Sequence, residues 1–390
     1  MHVSFVFASV SRKAGGLFGV GHRLAQELSK LEEIGASVLG LVDEFTDQDR
    51  ALWAPVSVCA FPAQGPTSLG WSPGYQRELI RLRPDVVHAH GLWTLASFEA
   101  MRYARAHRVP YLLSLHGMAD PWALRNSRYK KRVAWALYQR KSLEEASALV
   151  VTSKREADAL RSLGVTAPIA LVQNGVDPIA TSPVSPFEGR VPPARRTLLF
   201  LGRIHPKKGL AELLQGFAHF KQSSPELAER WSLVVTGWDD GGHEVRYRTL
   251  ASSLGLDEPS LIWTGPLFGE QRDAVLAHAD AFILPSFSEG MPMAVLEALS
   301  AGTPVLLTPE CNLPMVAPSG AGVSITPSAE GVTRGLRELA TMSDDARQAM
   351  GKRGADLVSR SFTWSGVASD TVRIYRWLLG EAEEPSDLLY

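Results

Sequence analysis

Two glutamates, Glu289 and Glu297, lie in the segment Ser286–Pro304, whose sequence is SFSEGMPMAVLEALSAGTP. Glu289 precedes a helix predicted over Met291–Ala301, and Glu297 lies about two turns into it. Eight helical residues rise ~12 Å, whereas the paired carboxylates of a glycoside hydrolase are ~5–9.5 Å apart. The spacing therefore favours contacts with two different parts of one long ligand. A surface helix with two solvated glutamates is the alternative interpretation.

The residues around these glutamates predict a strand–loop–helix–strand unit. Ala281–Leu284 and Pro304–Leu307 are short apolar runs, typical of buried parallel strands. Pro292 suits the first turn of a helix, where its missing N–H costs nothing, and Gly302 suits the position after the last turn. The unpaired N–H groups of this helix then lie at the carboxyl end of a strand, where phosphates and polyhydroxylated ligands bind.

Two cations occupy the loop after the predicted strand Thr197–Leu201. The loop has the sequence GRIHPKKG over residues 202–209 and opens a helix predicted over Leu210–Lys221. Arg203 provides a forked donor and Lys208 a compact ammonium, which suit the two negative charges of a diphosphate. Basic loops are common, so this loop alone is a weak indicator, and Lys207 is predicted to be a spectator.

Taken together, Gly202-Arg203-x4-Lys208-Gly209 and Glu289-x7-Glu297 resemble the signature of the retaining nucleotide-sugar glycosyltransferases of family 4. That family has the GT-B architecture, so the resemblance implies an α/β protein with two Rossmann-like, doubly wound domains facing a central cleft. It also implies a set of donor contacts. These are Arg203 and Lys208 on the diphosphate, Glu289, Gly290, Met291 and Pro292 on the sugar, and Glu297 on the ribose.

A glycine-rich loop, AGGLFGVG over residues 14–21, follows the first predicted strand, Val3–Ala8. Backbone without side chains can approach an anion closely, although a flexible loop without a ligand is the alternative. The dinucleotide fingerprint G-x-G-x-x-G fails here because Leu24 holds its last position, which disfavours a dehydrogenase. In the resembling family this loop covers the donor phosphates, which implies donor contacts by Gly15 and Gly16.

Apolar runs alternate with helical patterns throughout the chain, which predicts parallel sheets wrapped by helices. The further strands predicted in the first half are Ser37–Val42, Val56–Ala60, Asp85–Ala89, Tyr111–Leu115, Ala148–Thr152 and Ile169–Val172. Those of the second half include Trp231–Thr236 and Leu261–Leu267. Helices are predicted over His22–Glu33, after the capping box Ser153-x-x-Glu156, and over Ala329–Thr341, Asp344–Ser361 and Val367–Leu379.

Histidines end two of the predicted strands of the first half. The carboxyl ends of parallel strands are where ligands bind in such sheets. His88 is predicted to be structural, because a lone histidine is more often hydrogen-bonded inside the fold than catalytic. His116 followed by Gly117 matches the family position beside the transferred sugar, which implies a hydrogen bond near the anomeric centre and a catalytic role. His90 is an acceptor-side candidate.

Residues 125–141 contain seven basic side chains and no acidic ones, interspersed with aromatic and leucine side chains. Such a segment can lie on an anionic bilayer, where each basic group near the surface contributes ~1 kcal/mol, and Trp122–Lys141 is the predicted contact. It can equally hold the diphosphate of a lipid-linked acceptor, with Arg125 and Arg128 as acceptor-side candidates. A solvated basic helix face is the third interpretation.

Contacts to the nucleotide base are implied at Trp263, Pro266 and Leu267, where the resembling family places backbone around the base; core packing is the alternative role for the tryptophan. Asp239-Asp240 and Asp47-Gln48-Asp49 are paired carboxylates, and the second spells the D-x-D of metal-dependent transferases. Neither has the strand context that this motif requires, so both are predicted to be turns and no metal site is expected.

Length and composition limit the classes of protein that remain. A chain of 390 residues predicts two domains, and 45% hydrophobic with 21% charged residues are globular values. A net charge of −1 provides no basic surface for nucleic acid. Cys59 and Cys311 are the only cysteines, which fits a reducing cytoplasm and excludes a disulfide framework. Val3–Val10 is too short and lacks the basic flank of a signal peptide, and no apolar run reaches the ~18 residues of a membrane-spanning helix.

The sequence predicts two domains, an acceptor-side domain over residues 1–177 and a donor-binding domain over residues 197–365. A proline-rich linker over residues 178–196 joins them. A C-terminal helix over about 366–390 is predicted to pack back on the first domain. The predicted reaction is metal-independent, retaining transfer of a hexose from a UDP-, GDP- or ADP-sugar. The acceptor is a hydroxyl of a glycan or lipid-linked glycan in cell-surface polysaccharide biosynthesis. The predicted location is the cytoplasm, or the inner face of the cytoplasmic membrane, and no cofactor is expected beside the donor substrate.

Two other functions are compatible with these motifs. One is a GT-B sugar-nucleotide epimerase, which moves no sugar to an acceptor. The other is a catalytically silent subunit that retains the nucleotide-sugar site. No residue is an obvious covalent nucleophile, so departure of the diphosphate with attack on the same face is the mechanism that the resemblance implies.

Overall fold

The computed structural model describes residues 1–120, 128–179 and 185–389. The chain divides into two compact units, of which the first combines Met1–Gly175 with Trp364–Tyr390 and the second comprises Val176–Thr363. Each unit is built on its own parallel β-sheet. Part of the predicted linker, residues 180–184, and the predicted acceptor-side residue Arg125 lie outside the described residues.

The sheet of the first unit has seven parallel strands. They are β1 (His2–Val6), β2 (Gly35–Leu41), β3 (Ser57–Phe61), β4 (Val86–His90), β5 (Tyr111–Ser114), β6 (Ala148–Val151) and β7 (Ile169–Leu171). Their order in the sheet is β3-β2-β1-β4-β5-β6-β7. The order reverses direction between β1 and β4, and in doubly wound sheets this switch point is where ligands bind.

Helices connect these strands. They are α1 (Gly16–Leu28), α2 (Thr46–Asp49), α3 (Gly74–Leu82), α4 (Leu95–His107), α5 (Arg128–Ala134), α6 (Arg140–Glu144) and α7 (Lys154–Ser162). A π-helical turn, Trp135–Gln139, joins α5 to α6. Helix α1 begins at Gly16 rather than at the predicted His22, because Phe18 and Val20 are buried in the first unit and this packing overrides the low helix propensity of glycine.

The C-terminal helix, Trp364–Leu378, belongs to the first unit and packs against α1. It ends at Leu378, one residue before the end of the predicted helix Val367–Leu379, and not at residue 390, the end of the range given for the C-terminal segment. Gly380 takes a positive φ of 74° shortly after it. Leu389 then pairs antiparallel with Ile169 of β7, with N–H···O distances of 2.8 and 3.0 Å. The last residues therefore close the edge of the first sheet.

The sheet of the second unit has six parallel strands. They are β8 (Arg196–Leu201), β9 (Trp231–Thr236), β10 (Leu261–Gly265), β11 (Ala281–Leu284), β12 (Val305–Leu307) and β13 (Gly322–Ser324). The order is β10-β9-β8-β11-β12-β13, so the switch point lies between β8 and β11. The loops with the two predicted motifs follow these two neighbouring strands.

The helices of the second unit agree with most of the predicted ranges. They are α8 (Leu210–Ser223), α9 (Pro225–Ala228), α10 (Glu244–Ser253), α11 (Gly269–His278), α12 (Met293–Ser300), α13 (Ala329–Thr341) and α14 (Asp344–Ser361). Helix α12 begins two residues later than predicted because Pro292 is its N-cap, with an extended ψ of 112°. Proline therefore precedes the first helical turn here and is not part of it.

Close backbone contacts hold the two motif loops of the second unit together. Gly209 has a φ of +70°, and a Cβ atom at this position would lie 2.0 Å from the carbonyl oxygen of Pro285. The N–H of Phe287 donates to the carbonyl of Lys207 at 2.8 Å. Only glycine permits both the left-handed backbone and this approach, so the loop after β8 is fixed against the loop after β11.

We predict that Gly209→Ala destabilises the second unit more than Gly255→Ala does. Gly255 has a similar φ of +67°, but a Cβ atom there would meet nothing within 4 Å, so the control carries only the left-handed strain of ~1–2 kcal/mol. Gly209→Ala adds the clash with Pro285, a further ~1–3 kcal/mol. Urea unfolding of both variants measures the difference. Equal losses would show that the backbone contact contributes nothing.

Candidate functional site

Glu289 is buried in the loop between β11 and α12, with 6% of the residue exposed. Its Oε1 accepts hydrogen bonds from Lys208 Nζ at 2.6 Å and from Ser286 Oγ at 2.7 Å. Burial by itself raises the pKa of Glu289, but the charges of Lys208 and Lys207 outweigh it and the pKa lies below its ordinary value. Lys207 Nζ is 3.9 Å from Oε2, so Lys207 adds a second positive charge beside this carboxylate.

The backbone that follows Glu289 is held by Asn312. Its Nδ2 donates to the carbonyl oxygens of Glu289 at 2.6 Å and Gly290 at 2.9 Å. Met291 and Pro292 are buried, whereas Gly290 is half-buried. Sequence analysis missed Asn312, because a lone asparagine more than twenty residues away carries no local signal for this contact.

Glu297 lies on α12 with a different cationic partner. It is 8% exposed and forms an ion pair with Arg272 of α11. Burial raises the pKa of Glu297, and the charge of Arg272 only partly offsets this effect. Glu289 and Glu297 thus have separate surroundings, each with its own cationic partner. Arg272 was not singled out from the sequence, because a basic residue in an amphipathic helix has no distinguishing pattern.

Arg203 lies on the loop after β8 and pairs with Asp240, which follows β9. Its Nη1 is 2.6 Å from Asp240 Oδ2, and the two side chains are 41% and 40% exposed. Asp239 accepts from the N–H groups of His243 and Glu244 at the start of α10. Both cations predicted to hold a diphosphate, Arg203 and Lys208, therefore already contact carboxylates, and an entering diphosphate would compete with these carboxylates for them.

The second predicted aspartate pair does not form a simple turn. Residues 46–49 form the short helix α2, and Asp49 is fully buried. Its carboxylate accepts from the backbone N–H of Arg12 at 2.7 Å and from Arg12 Nε at 2.9 Å. The prediction of a turn was wrong because this ion pair with a distant arginine fixes the segment as helix.

The three predicted base contacts lie at and after the end of β10. Trp263 is half-buried, and the guanidinium of Arg248 lies 4.6 Å from the centre of one of its rings. Pro266 is exposed and Leu267 is half-buried. The structure therefore places Arg248, rather than open space, over Trp263.

A second aromatic pair, not predicted from the sequence, lies near the same strand ends. Trp238 and Phe268 are 42% and 57% exposed, and their rings are stacked with centroids 6.5 Å apart. The carbonyl oxygen of Trp238 accepts from the N–H of Ile204 at 2.8 Å, so the pair lies beside the loop of Arg203. Sequence could not single out these rings, because an aromatic residue after an apolar strand is usually part of the core.

In the first unit, the predicted glycine loop leads directly into α1. Gly15 is the N-cap of this helix, with a φ of 60°. A Cβ atom at Gly15 or Gly16 would meet no described atom within 4 Å. The backbone at this helix start is therefore accessible.

His116 follows β5 and is half-buried, with a φ of 55°. Its Nε2 lies 2.9 Å from Nδ1 of His90, whose own exposure is 2%. Because His90 is buried, its placement does not support the predicted contact with an acceptor. Both ring nitrogens of His88 have hydroxyl partners, Tyr375 at 2.6 Å and Ser114 at 2.7 Å.

Two adjacent residues of α7 hold the loop that follows His116. Glu156 accepts from the N–H groups of Ala119 at 3.3 Å and Thr152 at 3.4 Å. Arg155 Nε lies 3.1 Å from Asp120 Oδ2. The predicted capping box is thus only half formed, since Ser153 caps α7 while the glutamate turns toward the loop that follows His116.

The loop after β4 contains a strained tryptophan. Trp93 has a φ of +70°, rare for a residue with a side chain. Its N–H donates to Gln139 Oε1 at 2.6 Å, and its carbonyl accepts from Tyr138 at 2.8 Å. Both partners lie on the π-helical turn, a feature common at functional sites. Such strain persists only where the surroundings impose it, and sequence alone cannot reveal it.

The predicted acceptor-side arginines cannot be placed. Arg125 lies outside the described residues, and for Arg128 only the backbone of α5 is described. Among the described residues, no group of three or more histidine, cysteine, aspartate or glutamate side chains is arranged to hold a metal ion.

The buried carboxyl of Glu156 predicts a pH dependence of stability in the first unit. Burial raises its pKa to about 7, so between pH ~4.3 and this value the folded state keeps a proton that the unfolded chain has released. The free energy of unfolding therefore decreases as pH rises through this window, by at most ~1.4 kcal/mol per pH unit. We predict that Glu156→Gln flattens this dependence, measured by urea unfolding at several pH values with hydrogen exchange of residues 112–119 as the probe.

The matched control is Glu144→Gln, which removes an exposed carboxylate of the same unit. The control should keep the wild-type pH dependence. An unchanged slope in Glu156→Gln would contradict the assignment of this titration to the buried glutamate.

Two family models match the chain. A model described as glycosyl transferases group 1 matches residues 183–356, and one described as glycosyltransferase family 4 matches residues 15–179. A D-inositol 3-phosphate glycosyltransferase of Stackebrandtia nassauensis is 29% identical over 304 residues, which cover 75% of this chain and 68% of that protein. A sulfoquinovosyl transferase of Arabidopsis thaliana is 26% identical over 316 residues, covering 77% of this chain and 58% of that protein.

Solved structures share the fold at low sequence identity. Sucrose-phosphate synthase from Thermosynechococcus elongatus has a TM-score of 0.78 at 16% identity, covering 98% of this chain and 100% of that chain. Anabaena HepE in complex with UDP and glucose has a TM-score of 0.76 at 19% identity, covering 96% and 99%. With two parallel Rossmann-like sheets and matches to both family models, the chain belongs to the glycosyltransferases of group 1 and family 4 and has the GT-B fold.

Proposed function

We propose that this glycosyltransferase moves a hexose from a nucleoside-diphosphate sugar to a hydroxyl of a glycan or lipid-linked glycan, with retention and without a metal ion. The observation that carries the proposal is the buried contact of Lys208 with Glu289, at the carboxyl ends of the neighbouring strands β8 and β11. Arg203 lies on the same loop as Lys208. A similar fold holds UDP and glucose in Anabaena HepE, which supports a donor of this class.

The charges of this site suit the departure of a diphosphate. Arg203 and Lys208 would neutralise the charge that builds on the leaving group, and removing one such contact typically costs ~10²–10³ in rate. Glu289, kept ionised by its lysine partners, would accept hydrogen bonds from sugar hydroxyls. Glu297 would take the ribose. Because two cations of the loop after β8 already provide positive charge, we propose that the reaction needs no metal ion.

Donor binding is the first test, because the base and the sugar are unknown. We expect one of UDP, GDP or ADP, or its glucose or mannose conjugate, to raise the melting temperature, since a ligand at 100 times its Kd stabilises by ~2.7 kcal/mol. Turnover with the conjugate should persist in EDTA. A protein that none of these nine compounds stabilises would contradict the proposed donor class, and activity that EDTA abolishes would contradict metal independence.

The role of the cations is tested by Arg203→Ala, which should lower kcat ~10²–10³-fold. The fold should stay intact, because Arg203 and its partner Asp240 are both half-exposed and no buried charge is left unpaired. Lys208→Ala should have a similar effect, but it leaves Glu289 buried without its nearest cation, so the melting temperature must be measured alongside. Lys352→Ala removes an exposed lysine of α14 and is the control. Wild-type turnover in Arg203→Ala would contradict the role of this cation.

Two product assays separate the alternative functions. Incubation with the nucleotide sugar alone would yield a new nucleotide sugar if the protein is an epimerase. If glycan assembly survives both Glu289→Ala and Lys208→Ala, the protein is a silent binding subunit. Hexose transfer that requires an acceptor and is lost in these variants supports the proposed reaction.

We also propose a peripheral contact of α5 and the π-helical turn with an anionic membrane, at the inner face of the cytoplasmic membrane. Tyr129, Val133 and Leu137 lie four residues apart on one helix face and are 84%, 59% and 72% exposed. Lys130 and Arg132 are exposed between them. Apolar side chains flanked by basic ones suit the boundary between lipid headgroups and acyl chains. No helix in the described part of the chain is long and apolar enough to span a bilayer.

We predict that the protein sediments with vesicles of equal parts phosphatidylcholine and phosphatidylglycerol, but not with phosphatidylcholine alone, and that salt weakens the binding. Leu137→Asp should reduce the binding at least tenfold, because burying a leucine side chain is worth ~1.5–3 kcal/mol. Val245→Asp, at a 75% exposed valine of α10, is the control. Absence of binding, or equal binding of Leu137→Asp and wild type, would contradict this contact.

A further inference from the structure

His90 and His116 share one hydrogen bond at the carboxyl ends of the neighbouring strands β4 and β5. Nδ1 of His90 lies 2.9 Å from Nε2 of His116. Burial lowers the pKa of His116 to about 4 and lowers that of His90 as well. Both rings are therefore neutral at pH 7, and each carries one ring proton. One ring must donate to the other.

Only two arrangements of these protons satisfy the contact. In the first, His90 donates its Nδ1–H, and its Nε2 then carries a lone pair. In the second, His116 donates its Nε2–H, and His90 must then carry its own proton on Nε2. The two arrangements differ in what they leave at Nε2 of His90 and in which tautomer they assign to His116.

The surroundings of His90 distinguish the two arrangements. Its Nε2 is buried and has no hydrogen-bond partner among the described residues. The ring of Phe7 lies 4.4 Å away at an interplanar angle of 14°, and that of His88 lies 4.1 Å away at 31°. These rings lie roughly parallel to that of His90, so a proton in the plane of His90 does not point at their π faces. Proteins avoid a buried N–H without an acceptor more strictly than a buried acceptor with a free lone pair.

We infer that His90 is a positioning residue, which donates its Nδ1–H to His116 and thereby fixes His116 in the Nδ1–H tautomer. In a neutral histidine, the hydrogen bond made by one ring nitrogen decides whether the other nitrogen carries the ring proton. His90 thus acts through His116 and does not itself contact an acceptor.

The consequence for His116 is that its remaining ring nitrogen is a donor. An N–H donor suits an oxygen acceptor, such as a sugar hydroxyl or a phosphate oxygen, whereas the other tautomer would offer a lone pair. The backbone of His116 and Gly117 takes positive φ angles of 55° and 78°. This step rests on the proposed function and on the role that the family resemblance implies for His116, a hydrogen bond to the transferred sugar.

The tautomer can be measured without any ligand by ¹⁵N NMR of protein labelled at histidine. Signals of His116 are assigned by their loss in His116→Gln. At pH 7 we expect a protonated Nδ1 and an unprotonated Nε2 for this ring. A protonated Nε2 in the wild-type protein would overturn the inference.

Two substitutions of His90 test whether it is the cause. His90→Phe keeps an aromatic ring against Phe7 but removes the donor, so the Nε2–H form of His116 should gain population. His90→Gln offers an amide N–H donor and should preserve the wild-type tautomer. His107→Gln, at an exposed histidine of α4, is the control for general effects of losing an imidazole. If His116 keeps its Nδ1–H form in folded His90→Phe, then His90 does not determine the tautomer of His116 and the inference is wrong.

The functional consequence has its own measurement. His90→Phe should lower kcat at least tenfold while the Kd for UDP stays at the wild-type value, and His90→Gln should recover most of kcat. Unchanged kcat in His90→Phe would overturn the functional part of the inference. Failure to bind UDP would contradict a uridine donor but would leave the tautomer inference standing. The NMR experiment measures the tautomer independently of donor and acceptor.

Discussion

The second unit depends on one buried ion pair, between Lys208 and Glu289. Their side chains are 12% and 6% exposed, and removing one partner of such a pair typically costs ~3–5 kcal/mol because the other charge is left buried alone. The pair joins the loop after β8 to the loop after β11, and the contact of Gly209 with Pro285 brings the two loops close enough for it to form. The ion pair and the backbone contact therefore hold the same two loops together, at the switch point of the sheet.

The ion pair between Lys208 and Glu289 also affects the ionisation of the glutamate. The charge of Lys208 lowers the pKa of Glu289 although the glutamate is buried, so the carboxylate stays ionised and able to accept hydrogen bonds. Arg203 differs, because its pair with Asp240 is half-exposed and contributes little stability. The two cations thus differ in their surroundings, since Lys208 is paired inside the protein and Arg203 is half-exposed at its surface.

Much of the fold follows from patterns that the sequence displays openly. Buried parallel strands are short apolar runs, so β9 and β11 have the predicted bounds and the other predicted strands differ by a few residues. Strand β13, only three residues long, was not predicted. Local turn chemistry was less reliable: Pro292 caps α12 instead of entering it, and α1 starts within the glycine loop. In both cases packing or capping, which involve neighbours in space, decided the boundary.

Residues of the candidate site were predictable where they belong to local sequence motifs. Glu289 and Lys208 belong to such motifs, and the structure brings them into contact. Asn312 and Arg272 were missed because each reaches its partner across the fold and has no local pattern. Glu156 was assigned to a local capping box, and its contact with Ala119 across the fold was missed. The strain at Trp93 was missed for the same reason, since a positive φ is imposed by Tyr138 and Gln139 rather than encoded by the residue itself.

The first unit is assembled from two stretches of chain that the whole second unit separates. Tyr375, on the C-terminal helix, supplies the hydroxyl that hydrogen-bonds His88 in the centre of the first sheet. During synthesis, this tyrosine emerges from the ribosome only after the second unit has been completed. The N-terminal stretch of the first unit is therefore incomplete while the second unit folds, and His88 lacks its partner Tyr375 during that time.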